Sequence, residues 1–152
     1  MHFLIVYHSQ SGKTRLLAEA VAHGAASMSC DSVVTLLKRT YAAGPADMIW
    51  ADAMVFATPE NFGYMSGAMK DFFDRIFYPC TGLLEGKAYA VVVGAGNDGT
   101  GALESIRRIV RGLSLKEIQS PIIVNAPLDK STVETCQELG KTIAAGLEAG
   151  IY

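Results

Sequence analysis

Five short apolar runs alternate along this chain with longer stretches of helical periodicity, and that alternation restricts the fold more than any other feature. Phe3 to Tyr7, Val33 to Leu37, Ala53 to Ala57, Ala90 to Val93 and Ile122 to Val124 have strand length. The first and third are continuous, as strands buried on both faces are. After the first run, Leu16, Leu17, Ala20, Val21 and Gly24 fall on one side of a helical pattern, with Arg15, Glu19 and His23 on the other. Gly44-Pro45 precedes one helical turn at Ala46 to Trp50. Met65, Met69, Phe72, Phe73 and Ile76 mark a third helix; Leu103, Ile106, Val110 and Leu113 mark the next. Val133, Cys136, Gly140, Ile143 and Leu147 mark the last. Strands that alternate with helices in this order imply an α/β fold, a doubly wound parallel sheet with helices on both faces. Ligands of such sheets bind beyond the carboxyl ends of the strands.

Composition narrows the reading further. The 152 residues suit one domain over 1–152, with no linker, repeat or low-complexity stretch. A folded surface of roughly 7,400 Å² against about 23,500 Å² unfolded leaves room for a core without disulfides or a structural metal. With 50% hydrophobic and 18% charged residues the chain is not of the disordered class. The net charge of −2 points to neither nucleic acid nor a membrane surface. No apolar run approaches bilayer length, so no membrane insertion is expected. Met1 to Tyr7 has no basic flank or cleavage site, so no signal peptide is expected either. Cys30, Cys80 and Cys136 are widely spaced and form no CxxC, which argues against a disulfide framework or zinc site and for a reducing, cytoplasmic location.

Three loops stand where the strands end. Ser9-Gln10-Ser11-Gly12-Lys13-Thr14 is a hydroxyl-rich turn between a strand and a helix. Its helix end offers unpaired N–H groups and the positive end of the dipole, a phosphate cradle in form. Ser11 to Thr14 resembles the end of a nucleotide-triphosphate P-loop, but that pattern needs glycine where Tyr7 stands. It also needs a magnesium-holding aspartate that the tip of the Val55 to Thr58 strand lacks. The second loop, Thr58 to Gly67, carries Pro59 with its fixed φ, Gly63 free to take positive φ, and the flat rings of Phe62 and Tyr64. The third, Gly94 to Gly101, holds four glycines at 94, 96, 99 and 101, suited to close approach by a backbone or a ring.

These segments together resemble the flavodoxin-like family, in its NAD(P)H-dependent FMN reductase and quinone reductase branch and in its short-chain form, over nearly the whole chain. Phe3 to Thr14 is similar to that family's first strand and phosphate loop, and Ala51 to Pro59 to its third strand. Asn61 to Arg75 is similar to its flavin-ring loop and following helix, and Gly94 to Gly101 to its third flavin loop. Glu60 and Gly94 depart from the pattern, which has small or basic and hydroxyl residues there. The resemblance implies strand order 2-1-3-4-5, a fifth strand without an insertion, and FMN as cofactor.

By position, Ser9, Gln10, Ser11, Gly12, Lys13 and Thr14 would hold the phosphate, with Lys13 as a solvent-facing auxiliary. Thr58, Pro59, Glu60, Asn61, Phe62 and Gly63 would line one side of the ring, and Gly94, Gly96, Asn97 and Gly99 the other. No catalytic side chain and no metal is implied, because the cofactor carries the chemistry. NAD(P)H would be the electron donor, and a quinone, another small-molecule acceptor or a redox partner protein would take the electrons. The alternative on the same fold is a flavodoxin-type carrier with no turnover of its own, a class that leans more acidic than −2. The family also implies a homodimer or homotetramer. His8 stands beside the phosphate loop; His2 and His23 read as surface residues. Cys80 reads as an inert loop cysteine after the third helix, and Arg107, Arg108 and Arg111 as a solvated face with Glu104 paired to Arg108.

Overall fold

The computed structural model describes residues 1–28 and 32–152; Cys30 lies outside the described residues. The chain begins with β1 (His2–Tyr7), α1 (Lys13–Ala26), β2 (Val34–Arg39), a 3-10 turn (Thr40–Ala42), α2 (Pro45–Trp50) and β3 (Ala53–Asn61). It continues through β4 (Tyr64–Met65), α3 (Gly67–Cys80), β5 (Ala88–Gly94), α4 (Thr100–Gly112), β6 (Lys116–Glu117), β7 (Ile122–Val124) and α5 (Lys130–Glu148). The parallel sheet runs β2-β1-β3-β5-β6, with β7 also on β5. With β6 and β7 taken as one broken strand and β4 set aside as a hairpin arm, this is the 2-1-3-4-5 order expected.

Alternation along β1 sends Phe3, Ile5 and Tyr7 to one face and Leu4 and Val6 to the other. The first face carries α1 and α5, through Leu17, Val21, Cys136, Ile143 and Leu147. The second carries α2, α3 and α4, where Phe56 meets Phe72 and Phe73 at ring separations of 6.4 and 5.1 Å. The accessible surface of 7070 Å² is close to that expected for a compact chain of this size.

Four local readings change. Leu16 is 47% exposed, and the buried side of α1 is Leu17, Ala18, Ala20, Val21, Gly24 and Ala25. The strand that begins at Ala53 does not stop at Thr58-Pro59; Pro59 still aligns with Gly94, and Glu60 and Asn61 then pair with Met65 and Tyr64. Met65 is therefore on β4 and not in a helix. The fifth strand is interrupted: the offset from β5 is 28 residues at Ala88↔Lys116 and 30 at Val92↔Ile122, so two extra residues loop out before β7, beside Pro121.

Glycine lets α1 and α5 touch backbone to backbone. A Cβ on Gly140 would lie 1.9 Å from Val21 O, and one on Gly24 would lie 2.0 Å from Gln137 O. Gly140→Ala is therefore expected to force the helices apart and to lower stability by about 1–3 kcal/mol, as overpacking does. Urea denaturation of the two proteins measures it.

Candidate functional site

β1, β3 and β5 are neighbours, so the three loops that follow them meet at one edge of the sheet. The His8 amide donates to Ala57 O at 3.0 Å and ties the first loop to β3. Ser9 Oγ then accepts the Gly12 N–H at 3.1 Å, and Gly12 takes φ +99 with open space where a Cβ would stand. The first turn of α1 has no side-chain cap and no acidic residue. By contrast, α3 and α5 are capped by Ser66 and Asp129, which accept the amides of Met69 and Thr132. The N–H groups at the start of α1 thus face outward with the exposed Gln10 and Ser11 beside them.

Lys13 is not a solvent-facing auxiliary. Its ammonium donates to Val124 O at 2.8 Å and lies 3.5 Å from Ala95 O, so it ties the first loop to the ends of β5 and β7. Thr14 is buried against Gly94, where a Cβ would come within 2.7 Å of Thr14 Oγ1. That contact is the physical reason for glycine at a position where the family pattern has a hydroxyl residue.

The second loop is reduced to two residues. Phe62 and Gly63, at φ +54 and +66, join Asn61 to Tyr64 as a tight hairpin turn. Positive φ costs a bulky residue about 1–2 kcal/mol, and Phe62 is also fully exposed, at 106% of the reference value. The hairpin tip thus combines a strained backbone with an uncovered ring. The arm below it is anchored. Thr58 is fully buried; its hydroxyl accepts the Ser66 N–H at 3.0 Å and lies 2.9 Å from Pro59 O. Ser105 Oγ accepts the Met65 N–H at 3.1 Å. Gly101, which belongs to α4, lets that helix lie against Gly63 O, where a Cβ would be 1.9 Å away.

Glu60 joins the second loop to the third. Its carboxylate accepts the Asn97 N–H at 2.8 Å and the Gly99 N–H at 3.2 Å. Gly99 takes φ +74 at the start of α4 and packs on Ile123, while Gly96 has open space around it. Gly94 belongs to β5, so the third loop is residues 95–99. All the candidate residues therefore come to one edge, but Thr58, Lys13, Glu60 and Gly94 spend their polar atoms or shape on holding it together.

His8 Nδ1 is buried with no hydrogen-bond partner, an orphaned polar atom beside the first loop. Burial pulls its pKa below 6.5, and nearby Arg39 lowers it further, so the imidazole is neutral at pH 7. Arg39 itself lies 5.7 Å over the Tyr7 ring. Arg39 carried no sequence signal: its place at the end of β2 becomes visible only through the register with Tyr7. An open helix N-terminus, free hydroxyls, a glycine that leaves room and an orphaned imidazole together fit a phosphate-bearing ligand.

Residues away from this edge settle other readings. Cys80 is the last residue of α3 and, like Cys136, is buried; burial raises the Cys80 thiol pKa and pushes that of Cys136 up to about 11, which disfavours the thiolate at both. His2 stacks on Trp50 at 4.3 Å and lies 3.5 Å from Asp52, whereas His23 is exposed. Glu104 pairs with Arg107 and not with Arg108, and Arg107 also binds Glu117 at 2.9 and 3.0 Å. An open groove of about 690 Å³ between α1 and α5, lined by Leu16, Ala20 and Val133, lies on the outer helical face.

The class follows from sheet order and loop placement: this is a flavodoxin-like α/β protein. A family model for NADPH-dependent FMN reductase matches residues 1–126, and the chain belongs to that family. A flavodoxin of Aquifex aeolicus is 28% identical over 157 residues, covering 93% of this chain and 84% of its own. An NAD(P)H dehydrogenase (quinone) of Acidithiobacillus ferrooxidans is 32% identical over 90 residues, 47% of this chain and 45% of its own, so the match spans less than half of that protein. Among solved structures, an archaeal flavodoxin aligns with a TM-score of 0.82 at 22% identity, covering 97% of this chain and 99% of its own. Among the described residues no helix is long and apolar enough to cross a membrane.

Tyr89 supplies a pH prediction. Burial and the carboxylate of Glu117 push its phenol up to about 12 from an ordinary 10. The neutral phenol is thus favoured by folding, so its share of stability is present below pH 10 and is lost as pH rises toward 12. Tyr89→Phe is expected to flatten the loss of thermal stability between pH 10 and 12, measured by circular dichroism.

Proposed function

We propose that this protein is an FMN-binding oxidoreductase that draws electrons from NAD(P)H and delivers them to a quinone or similar small acceptor. The observation that carries the reading is the uncapped start of α1, held open beside the Phe62 hairpin and the third loop. Ser9, Gln10, Ser11, Gly12 and Thr14 would receive the phosphate through hydroxyl, amide and backbone N–H donors, with the helix dipole favouring the dianion. Lys13 adds positive charge nearby while it remains tied to Val124 O. Pro59, Asn61, Phe62 and Gly63 would flank one side of the ring, and Gly94, Gly96, Asn97 and Gly99 the other. Thr58 and Glu60 serve as supports for those two walls, not as direct ligands.

FMN, when bound, supplies the redox chemistry. The chain's part is to bind, orient and shelter it, and no side chain is required as a nucleophile or general base. The buried thiols Cys80 and Cys136 suit a reducing compartment and support a cytoplasmic location.

A second reading, a flavodoxin-type carrier, is favoured by the Aquifex flavodoxin, which matches 93% of the chain. Steady-state NAD(P)H oxidation with FMN-loaded protein and a soluble quinone separates the two. Sustained turnover without any added reductase is expected for the enzyme; none, with FMN retained, would contradict the enzyme reading and favour the carrier. Ser11→Ala is expected to weaken FMN by about tenfold, the value of one charge-assisted hydrogen bond, and to leave riboflavin binding unchanged in a fluorescence titration.

A further inference from the structure

The third loop is gripped at both ends by charges of opposite sign. At its start the Lys13 ammonium reaches Ala95 O at 3.5 Å and takes, at 2.8 Å, the Val124 O of β7 that also accepts the Ala95 N–H. At its end the Glu60 carboxylate takes the amides of Asn97 and Gly99, at 2.8 and 3.2 Å. A cation meets carbonyls and an anion meets amides, the pairing in which charge strengthens a hydrogen bond. Between the two grips stand Gly96, with open space around it, and the exposed Asn97 and Asp98. Asp98 Oδ1 accepts the Thr100 N–H at 2.9 Å and closes the turn into α4. Such a loop has few side chains to hold it, and without ties it would lose its shape to backbone entropy.

We infer that Glu60 and Lys13 are positioning residues that set the third loop in its ligand-ready shape before any cofactor arrives. The inference rests on the FMN reading above and deepens it. Glu60 acts through the loop: each of its two oxygens accepts one loop amide, from Asn97 and from Gly99. Those two amides are in turn withdrawn from direct donation to a ring, so the loop contributes shape and the Gly96 opening. Glutamate at this position, a departure from the family pattern, thereby acquires a physical role in this chain.

The test compares the wild-type protein with E60Q, E60A and K13M. Hydrogen exchange of the ligand-free proteins is followed by mass spectrometry, and FMN and riboflavin affinities by flavin fluorescence. E60A is expected to speed exchange in residues 95–99 by at least about tenfold while β1, β3 and β5 are unchanged, with E60Q intermediate because its amide can still accept one N–H. Both flavins are expected to weaken by about tenfold and by the same factor in E60A, since riboflavin lacks only the phosphate and the third loop would not touch it. K13M is expected to speed exchange at Ala95. Unchanged exchange in E60A, a rise spread evenly over the sheet, or weakened FMN with riboflavin spared would each overturn the inference. If the wild-type protein binds neither flavin, the FMN reading fails by itself. The exchange data then decide the tie: a rise confined to 95–99 keeps it, and no rise removes it.

Discussion

Two hydrogen bonds from the third loop to the Glu60 carboxylate join the hairpin and the third loop at the carboxyl edge of the sheet. They need Glu60 to lie beyond Pro59 on an extended strand, and β3 is extended there because β4 folds back on it. The fold-back depends on Thr58 and Ser66 beneath it and on Ser105 beside it. Ser105 belongs to α4, whose first turn is entered through Gly99, itself held by Glu60. Hairpin, loop and helix therefore form a closed circuit of contacts. Within it the strained, exposed Phe62 can be kept in a conformation it would not choose alone.

Much of this was legible in the residues. Buried strands announced themselves as unbroken apolar runs, and the observed cores sit where those runs were read. What escaped was information carried by pairing. Pro59 reads as a terminator because proline ends most local patterns, yet β3 keeps its register with β5 through Pro59, aligned with Gly94. Met65 fitted a helical stripe because one apolar residue cannot distinguish a period of 3.6 from a two-residue strand. The pairing of Glu104 could be i+3 or i+4 on the same helix face, and Glu117 from β6 drew Arg107 toward it. The candidate site was legible as three loops, but not the division of labour within it. Lys13 and Glu60 have the chemistry of ligands, and only three-dimensional proximity reveals that they bind the protein's own backbone.

The family match ends at residue 126, and the three loops lie inside it. Helix α5 lies beyond it, yet it packs with α1 on one sheet face and touches α1 backbone to backbone. Since α1 begins at the first loop, the direction in which its N-terminus points is set partly by its packing on α5. Enzyme and carrier share all of this geometry, and one fold serves both. At that edge the exposed ring of Phe62 is a prominent apolar feature.

The proposed site places ligand binding at this edge, among the loops that follow β1, β3 and β5. Amide chemical shifts in a ¹H–¹⁵N spectrum, recorded as FMN is added, test it most directly. Large, saturable shifts confined to residues 9–14, 60–63 and 94–100 are expected. Shifts clustered instead in the groove between α1 and α5, or none at saturating FMN, would contradict it.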